Sequence, residues 1–125
     1  MPRLPEAMLR HLTDVDGRRH VALVAEVGGE VAGIARFVTL PDEPGAAEVA
    51  VTVTDRFQGR GIGRLLLGAL GRAAARADVG AFVYLVDPAN RPVLAVLRAM
   101  GVRLAYRDGL VQGRQPLAAG GRVAA

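Results

Sequence analysis

A glycine-rich loop stands between an alternating strand pattern and a long helical pattern in the middle of the chain. Residues 46–54 read AAEVAVTVT, with valines on one face of the predicted strand and Glu48 on the other. Residues 58–63 read QGRGIG, and leucines and alanines then recur at three- and four-residue steps as far as Ala77. A strand that runs through glycines into a helix brings unpaired backbone N–H groups to one point. The pattern therefore favours an α/β fold with an anion site at the start of the helix.

Several interpretations of this loop compete. A Walker A loop needs a lysine, and the chain contains none. A dinucleotide fingerprint needs a third glycine where Arg64 stands, which disfavours that interpretation. A different phosphate site and a purely structural turn at Gly59 and Gly61 both remain, and the loop by itself leaves the two open.

Apolar runs and turn residues predict the remaining elements. They are a short helix at residues 5–13, strands at residues 20–27, 30–40 and 81–86, a helix from Pro92 to a C-cap at Gly101, and a hairpin turning at Asp108 and Gly109. The order indicates one α/β domain with a mixed, mostly antiparallel central sheet flanked by helices. Residues 1–112 are assigned to this domain, and the Gly- and Ala-rich residues 113–125 to a flexible C-terminal tail.

Three stretches together resemble the GNAT superfamily of acetyl-CoA-dependent N-acetyltransferases. They are AEVAVTV, the loop QGRGIG with Gln58, Gly61 and Gly63 in the pattern Gln-x-x-Gly-x-Gly, and YLVDPANRPVLAVLRAMGV. The resemblance covers roughly residues 20–106, and within the superfamily the chain looks similar to the acetyltransferase domains of bacterial protein-lysine acetyltransferases. It implies a GNAT-like fold, acetyl-CoA as the co-substrate and no metal.

The resemblance also implies a set of residues that bind the coenzyme. Amides of the glycine loop would hold the pyrophosphate, with charge added by its arginines, and backbone groups of the preceding strand would bind the pantetheine arm. The expected set is Val51, Val53, Gln58, Gly59, Arg60, Gly61, Ile62, Gly63, Arg64 and Asn90. Asn90 has an equally good second interpretation as the N-cap of the following helix.

Glu48 is the candidate catalytic residue. Acetyl transfer to an alkylammonium group needs a base, because such an amine is mostly protonated at neutral pH. Glu48 is the only acidic residue of its predicted strand, and GNAT enzymes often place a catalytic glutamate there. The alternative is an ordinary exposed glutamate. The family's usual tyrosine acid has no counterpart, and Tyr84 and His20 are interpreted as structural.

The N-terminus departs from the family pattern. Only 19 residues precede His20, so the family's first strand and helix are predicted to be absent. These elements help to form the wall of the acceptor cleft in the family. Without them the cleft would be open, or would be completed by a second subunit of a homodimer. The favoured acceptor is a primary amine, above all a protein lysine. The alternatives are a catalytically weak acyl-CoA-binding or regulatory module of the same fold and a small basic nucleic-acid-binding domain.

Composition narrows the classes further. With no cysteine, thiolate catalysis and Cys-based metal sites are excluded. The formal net charge is +4, but the arginines are scattered and aromatic residues make up 4%, which disfavours nucleic acid as a partner. No apolar stretch of bilayer length and no signal-peptide pattern is found, so a cytoplasmic protein without a membrane partner is expected.

Overall fold

The computed structural model describes residues 7–11 and 19–117 of the 125-residue chain. They form one seven-stranded sheet with the order β1-β2-β3-β4-β5-β7-β6. The strands are β1 Ala7–His11, β2 His20–Val27, β3 Glu30–Thr39, β4 Ala46–Val53, β5 Ala81–Val86, β6 Arg103–Arg107 and β7 Leu110–Pro116. The helices are α1 Ile62–Arg76 and α2 Arg91–Ala99, with a 3-10 turn at Asp55–Phe57. This mixed, mostly antiparallel sheet with its two helices confirms the predicted fold class.

The turns that connect the strands follow from local sequence. Gly28 and Gly29 have φ values of 58° and 82°, and Asp108 and Gly109 have 52° and 82°, as a tight two-residue hairpin requires. Gly101, at φ 80°, follows the last turn of α2. There the N–H of Val102 donates to the carbonyl of Leu97, which closes the helix end.

The two faces of the sheet differ. Both helices cover one face, where leucines of α1 and α2 and the rings of Phe37, Phe82 and Tyr84 are buried. On the other side of β3 to β7 the side chains are exposed or half-buried, and we call this side the open face. Its residues are Ile34, Arg36, Val38, Glu48, Ala50, Thr52, Val83, Leu85, Arg103, Ala105, Arg107, Leu110, Gln112 and Arg114.

The N-terminal prediction was wrong where the structure can test it. Ala7–His11 is not helical but forms β1, which pairs antiparallel with β2. Ala, Met, Leu and Arg all favour helices, and pairing with a distant strand overrides that preference. The expectation that no strand precedes the β2–β3 hairpin is therefore wrong as well. Residues 5, 6, 12 and 13 of the predicted helix lie outside the described residues.

The predicted tail also begins too early. Gly113 and Gln115 belong to β7, which lies between β5 and β6 in the sheet. The N–H of Leu117 continues the attachment by donating to the carbonyl of Gly80. Residues 118–125 lie outside the described part of the chain, so the tail prediction is untested there.

Candidate active site

The glycine loop has a backbone conformation that residues other than glycine rarely adopt. Gly59 and Gly61 have φ values of 75° and 85°, in the left-handed region where glycine is favoured. A Cβ atom added at either residue would meet no heavy atom within 4 Å. The space above the loop is therefore open, as it must be for a ligand to approach the backbone.

The loop leads directly into the N-terminus of α1. Gly61 is the N-cap residue, and no side chain caps the helix there. The first N–H that bonds within the helix is that of Leu65, which donates to the carbonyl of Gly61. The N–H groups of the first turn and the positive end of the helix dipole thus meet at the loop and favour an anion.

Beside this loop, β4 and β5 separate. The two strands pair in parallel from Ala46 and Ala81 as far as Val49 and Tyr84, and no further. Beyond that point β4 continues along β3 and β5 continues along β7. Alternate residues between Ala50 and Val53 consequently direct backbone N–H and C=O groups into a gap that no strand fills.

Two cavities follow from this separation. The larger, of about 310 Å³, is lined by Val51, Val53, Phe57, Gln58, Gly59, Gly61, Ile62, Gly63, Arg64, Pro92, Val93, Ala95, Val96 and Ala99. The smaller, of about 170 Å³, is lined by Val49, Ala50, Val51, Tyr84, Leu85, Val86, Asp87, Asn90 and Val93. Val51 and Val93 line both, so the loop cavity and the cavity in the strand gap adjoin.

Comparison with known sequences settles the family. The sequence model of the Acetyltransferase (GNAT) family matches residues 2–102. The chain belongs to the GNAT acetyltransferase family.

Similar acetyltransferases and acyltransferase structures agree with this GNAT assignment. The acetyltransferase Pat of Mycolicibacterium smegmatis is 40% identical over 102 residues, which are 78% of this chain and 31% of that protein. The cAMP-binding acyltransferase from Mycobacterium smegmatis has a TM-score of 0.76 at 33% identity, over 87% of this chain and 34% of the other. The GNAT domain of S. lividans PAT has a TM-score of 0.73 at 30% identity, over 82% of this chain and 64% of the other. The GNAT chain thus spans about a third of the two mycobacterial relatives.

Most of the residues expected to bind the coenzyme come together in the structure. Eight of them line the larger cavity, namely Val51, Val53, Gln58, Gly59, Gly61, Ile62, Gly63 and Arg64. Ile62 is buried in the core, so only its backbone can face a ligand. Gly63 also allows close helix packing, because an added Cβ would lie 3.4 Å from Cγ2 of Val96 on α2. The binding roles of all eight stay predictions.

Arg60 and Gln58 hold the loop in a defined arrangement. The guanidinium of Arg60 lies 5.6 Å from the ring centre of Phe57, which in turn lines the larger cavity, whereas Arg60 itself does not. The amide of Gln58 donates to the carbonyl of Val53 at 3.3 Å and to Oδ1 of Asp55 at 3.2 Å. Gln58 therefore ties the end of β4 to the loop.

Asn90 lines the cavity in the strand gap, whereas Glu48 does not. The side-chain oxygen of Asn90 accepts from the N–H of Val93 at 3.4 Å, so Asn90 is the N-cap of α2 while it also lines the smaller cavity. Glu48 is exposed on the open face and lines neither cavity. It pairs with Val83 one position before the last β4–β5 pair, at the edge of the gap.

Sequence reasoning missed the contribution of α2 to the site. Pro92, Ala95 and Ala99 form one wall of the larger cavity. The signal for them was the spacing of small apolar residues on α2 outside its core-facing positions. Asp87, at the end of β5, was also missed, although it lines the smaller cavity beside Asn90.

The burial and the hydrogen bond of Tyr84 are those of a structural residue. It is 1% exposed, and its hydroxyl donates to Oε1 of Gln115 at 2.6 Å. Burial raises the pKa of Tyr84 well above its usual value. Among the described residues no three His, Asp or Glu side chains group closely enough to hold a metal ion. The two described helices are too short to cross a membrane.

Proposed function

We propose that this GNAT protein transfers an acetyl group from acetyl-CoA to a primary amine, with a protein lysine as the favoured acceptor. The observation that carries the proposal is the separation of β4 and β5 after Val49 and Tyr84, next to the open glycine loop. A pantetheine arm needs free backbone groups along a strand, and a pyrophosphate needs free N–H groups at a helix start. This chain has both within one pair of adjoining cavities.

The residues present fit an acyl-CoA. The amides at Gly59, Gly61 and the first turn of α1 would hold the pyrophosphate, and Arg64 would add positive charge at the rim of the larger cavity. Backbone groups at Val51 and Val53 would bind the pantetheine arm. Acetyl-CoA supplies a thioester, whose acyl carbon is reactive towards amines.

In this proposal Glu48 is the general base. Its carboxylate is exposed to water at the edge of the strand gap, where it could accept a proton from an incoming ammonium group directly or through one water molecule. The chain's other role is to keep the acceptor and the thioester together in the gap, which lowers the entropic part of the barrier. The leaving thiolate would take its proton from water, because Tyr84 is buried and donates to Gln115.

The loop is tested by a pair of glycine variants with equal backbone strain. Gly61 and Gly45 both have φ 85° and open space around a built Cβ, but Gly45 precedes β4 at its opposite end. Gly61→Glu should raise the Kd for coenzyme A about a hundredfold, because it places a negative charge at the helix N-terminus. Gly45→Glu should change it less than about twofold. Calorimetric titration measures both, and equal affinities of the two variants would refute the pyrophosphate site.

The base is tested separately by Glu48→Gln. We expect the rate of thiol release, with acetyl-CoA and a lysine peptide, to fall by about a hundredfold near neutral pH. The Kd for coenzyme A should stay unchanged, because Glu48 lines neither cavity. Asp42→Asn, which removes one exposed carboxylate from the β3–β4 loop, is the control. A wild-type rate in Glu48→Gln would exclude Glu48 as the base.

A catalytically weak acyl-CoA-binding or regulatory module is the second candidate. It is favoured by the exposure of Glu48 on the open face rather than in a closed cleft. Coenzyme A would then bind with normal loop dependence, while no amine would be acetylated above the background rate. The homodimer and the cytoplasmic location stay predictions from the sequence.

A further inference from the structure

The open face carries exposed aliphatic side chains around the strand gap. Ile34 and Val38 on β3 are 40% and 45% exposed, and Leu85 on β5 is 41% exposed. Leu85 and Ala50 of this face also line the smaller cavity. An apolar surface that surrounds the mouth of a candidate catalytic gap is suited to contact with another molecule.

Arginines flank this apolar surface on both sides. On one side, Arg36 of β3 lies opposite Ala50 of β4. On the other side, β6 and β7 carry Arg103, Arg107 and Arg114. Glu48 is the only acidic residue of the open face as defined above. The face therefore has four arginines and one carboxylate of its own, and its net charge stays positive when Glu43, which pairs with Arg114 from the β3–β4 loop, is included.

Two of these arginines, Arg103 and Arg114, face each other across a strand pair. Arg103 is directly opposite Arg114 in the β6–β7 pairing, and like charges in that position repel. Glu43 of the β3–β4 loop forms an ion pair with Arg114 and offsets part of that repulsion. No carboxylate in the described ranges pairs with Arg36 in the same way. Unfavourable charges around an exposed apolar surface indicate a partner of opposite charge.

We propose that the open face docks an acidic segment of the acceptor protein, with aliphatic residues next to the acceptor lysine. The inference rests on the proposed function and narrows its substrate class. Acidic side chains on each side of the lysine would contact Arg36 on one flank and Arg103 and Arg107 on the other. The aliphatic residues would pack on Ile34, Val38 and Leu85, and the lysine would reach the gap near Glu48.

The same face is poorly suited to nucleic acid. All five aromatic residues lie away from it, since Phe37, Phe82, Tyr84 and Tyr106 point to the helix-covered side and Phe57 lines the larger cavity. The described part of the open face therefore offers no aromatic platform on which bases could stack. Glu48 at the centre would face a phosphate of a continuous nucleic-acid chain, whereas in the proposed peptide it would face the lysine. The aliphatic and arginine pattern favours an acidic polypeptide.

Binding of short labelled peptides tests the proposal without any acetyl-CoA. Each probe carries one central lysine with leucines beside it, and outer positions are acidic in one peptide and arginine in the other. Fluorescence anisotropy should show at least about tenfold tighter binding of the acidic peptide at low salt, with the difference largely lost near 0.5 M NaCl. Single-stranded DNA of the same length is the third probe.

Two charge reversals locate the interaction. Arg36→Glu should weaken the acidic peptide at least about tenfold. Arg72→Glu makes the same charge change on an exposed position of α1, remote from the open face, and should weaken it less than about twofold. Circular dichroism of both variants checks that the fold is retained. A second reversal, Arg103→Glu, should reproduce the effect of Arg36→Glu even if that variant fails to fold.

Three results would overturn the proposal. The first is equal affinity for the acidic and basic peptides, or equal effects of Arg36→Glu and Arg72→Glu. The second is tighter binding of DNA through the same arginines, which would assign the face to nucleic acid. The third is a wild-type dimer in sedimentation that Arg36→Glu dissociates, which would assign it to a second copy of the chain. Failure of coenzyme A to bind, with acidic-peptide binding intact, would refute the proposed function alone.

Discussion

The buried hydrogen bond between Tyr84 and Gln115 leads to a quantitative stability prediction. Tyr84 is 1% exposed and Gln115 is 2% exposed, and their 2.6 Å hydrogen bond joins β5 to β7 below the strand gap. Tyr84→Phe keeps the ring and removes the donor, which should cost about 1–3 kcal/mol of unfolding free energy. For 125 residues the unfolding entropy is roughly 0.26 kcal/mol per kelvin. The Tm should therefore fall by about 4–11 °C.

The only other tyrosine supplies the matched control. Tyr106 is 71% exposed on the edge strand β6, so Tyr106→Phe should change the unfolding free energy by less than about 0.5 kcal/mol. Urea unfolding followed by circular dichroism at pH 8 measures both variants. The kcat for acetyl transfer should stay within about threefold of wild type in Tyr84→Phe, because this hydroxyl donates to Gln115.

The pH dependence of the same variant has a definite sign. Burial raises the pKa of Tyr84, so the unfolded chain loses this proton at a lower pH than the folded chain. The advantage of wild type over Tyr84→Phe is then complete below about pH 10 and shrinks at higher pH, by up to about 1.4 kcal/mol per unit. A constant difference between pH 8 and pH 11 would contradict this account. A hundredfold loss of kcat with the fold intact would show that Tyr84 takes part in the chemistry.

Substitutions at three further positions test the packing around the site. Gly33→Ala should cost about 1–3 kcal/mol, measured by urea unfolding, because its Cβ would lie 2.9 Å from the carbonyl oxygen of Thr52. Asn90→Ala should cost about 1 kcal/mol of unfolding free energy by loss of the cap to Val93, and Asn90→Ser should restore stability. If Asn90→Ser restores stability but still binds acetyl-CoA more weakly than wild type, the amide group of Asn90 takes part in ligand binding. Ala95→Leu should raise the Kd for acetyl-CoA by filling the larger cavity, with stability held within about 0.5 kcal/mol because leucine favours helices.

Elements with strong local signals could be predicted from the sequence. The strand Ala81–Val86 has the predicted bounds, since a short apolar run flanked by turn residues has few alternatives. The turn at Asp108 and Gly109 could be predicted equally well, because only particular residues tolerate its positive φ values. The open space at Gly59 and Gly61 agrees with the predicted ligand site, although the binding roles are untested.

The errors arose where distant residues decide the structure. β7 contains Gly113 because an added Cβ would lie 2.9 Å from Cδ2 of Leu104, which needs that space. Gln115 is buried because it accepts the hydroxyl of Tyr84. The glycine and alanine content of residues 113–125 locally indicates a loose tail, and only the tertiary partners make residues 113–116 part of a strand inside the sheet. β1 is the same case, with pairing to β2 outweighing helix propensity.

In the proposed function, the smaller cavity would be the place where the donor and the acceptor meet. Its lining includes Val49 and Val51, whose side chains lie on the helix-covered face, and Ala50 and Leu85, whose side chains lie on the open face, so it lies in the gap between the two strands. A thioester held at the loop cavity could therefore enter the gap from the helix side, while an amine reaches it from the open face. Glu48 lies on the amine's side, exposed to water, which is where a proton released from an ammonium group has to leave. In the proposed mechanism, the separation of the two strands would account for both the donor site and the position of Glu48.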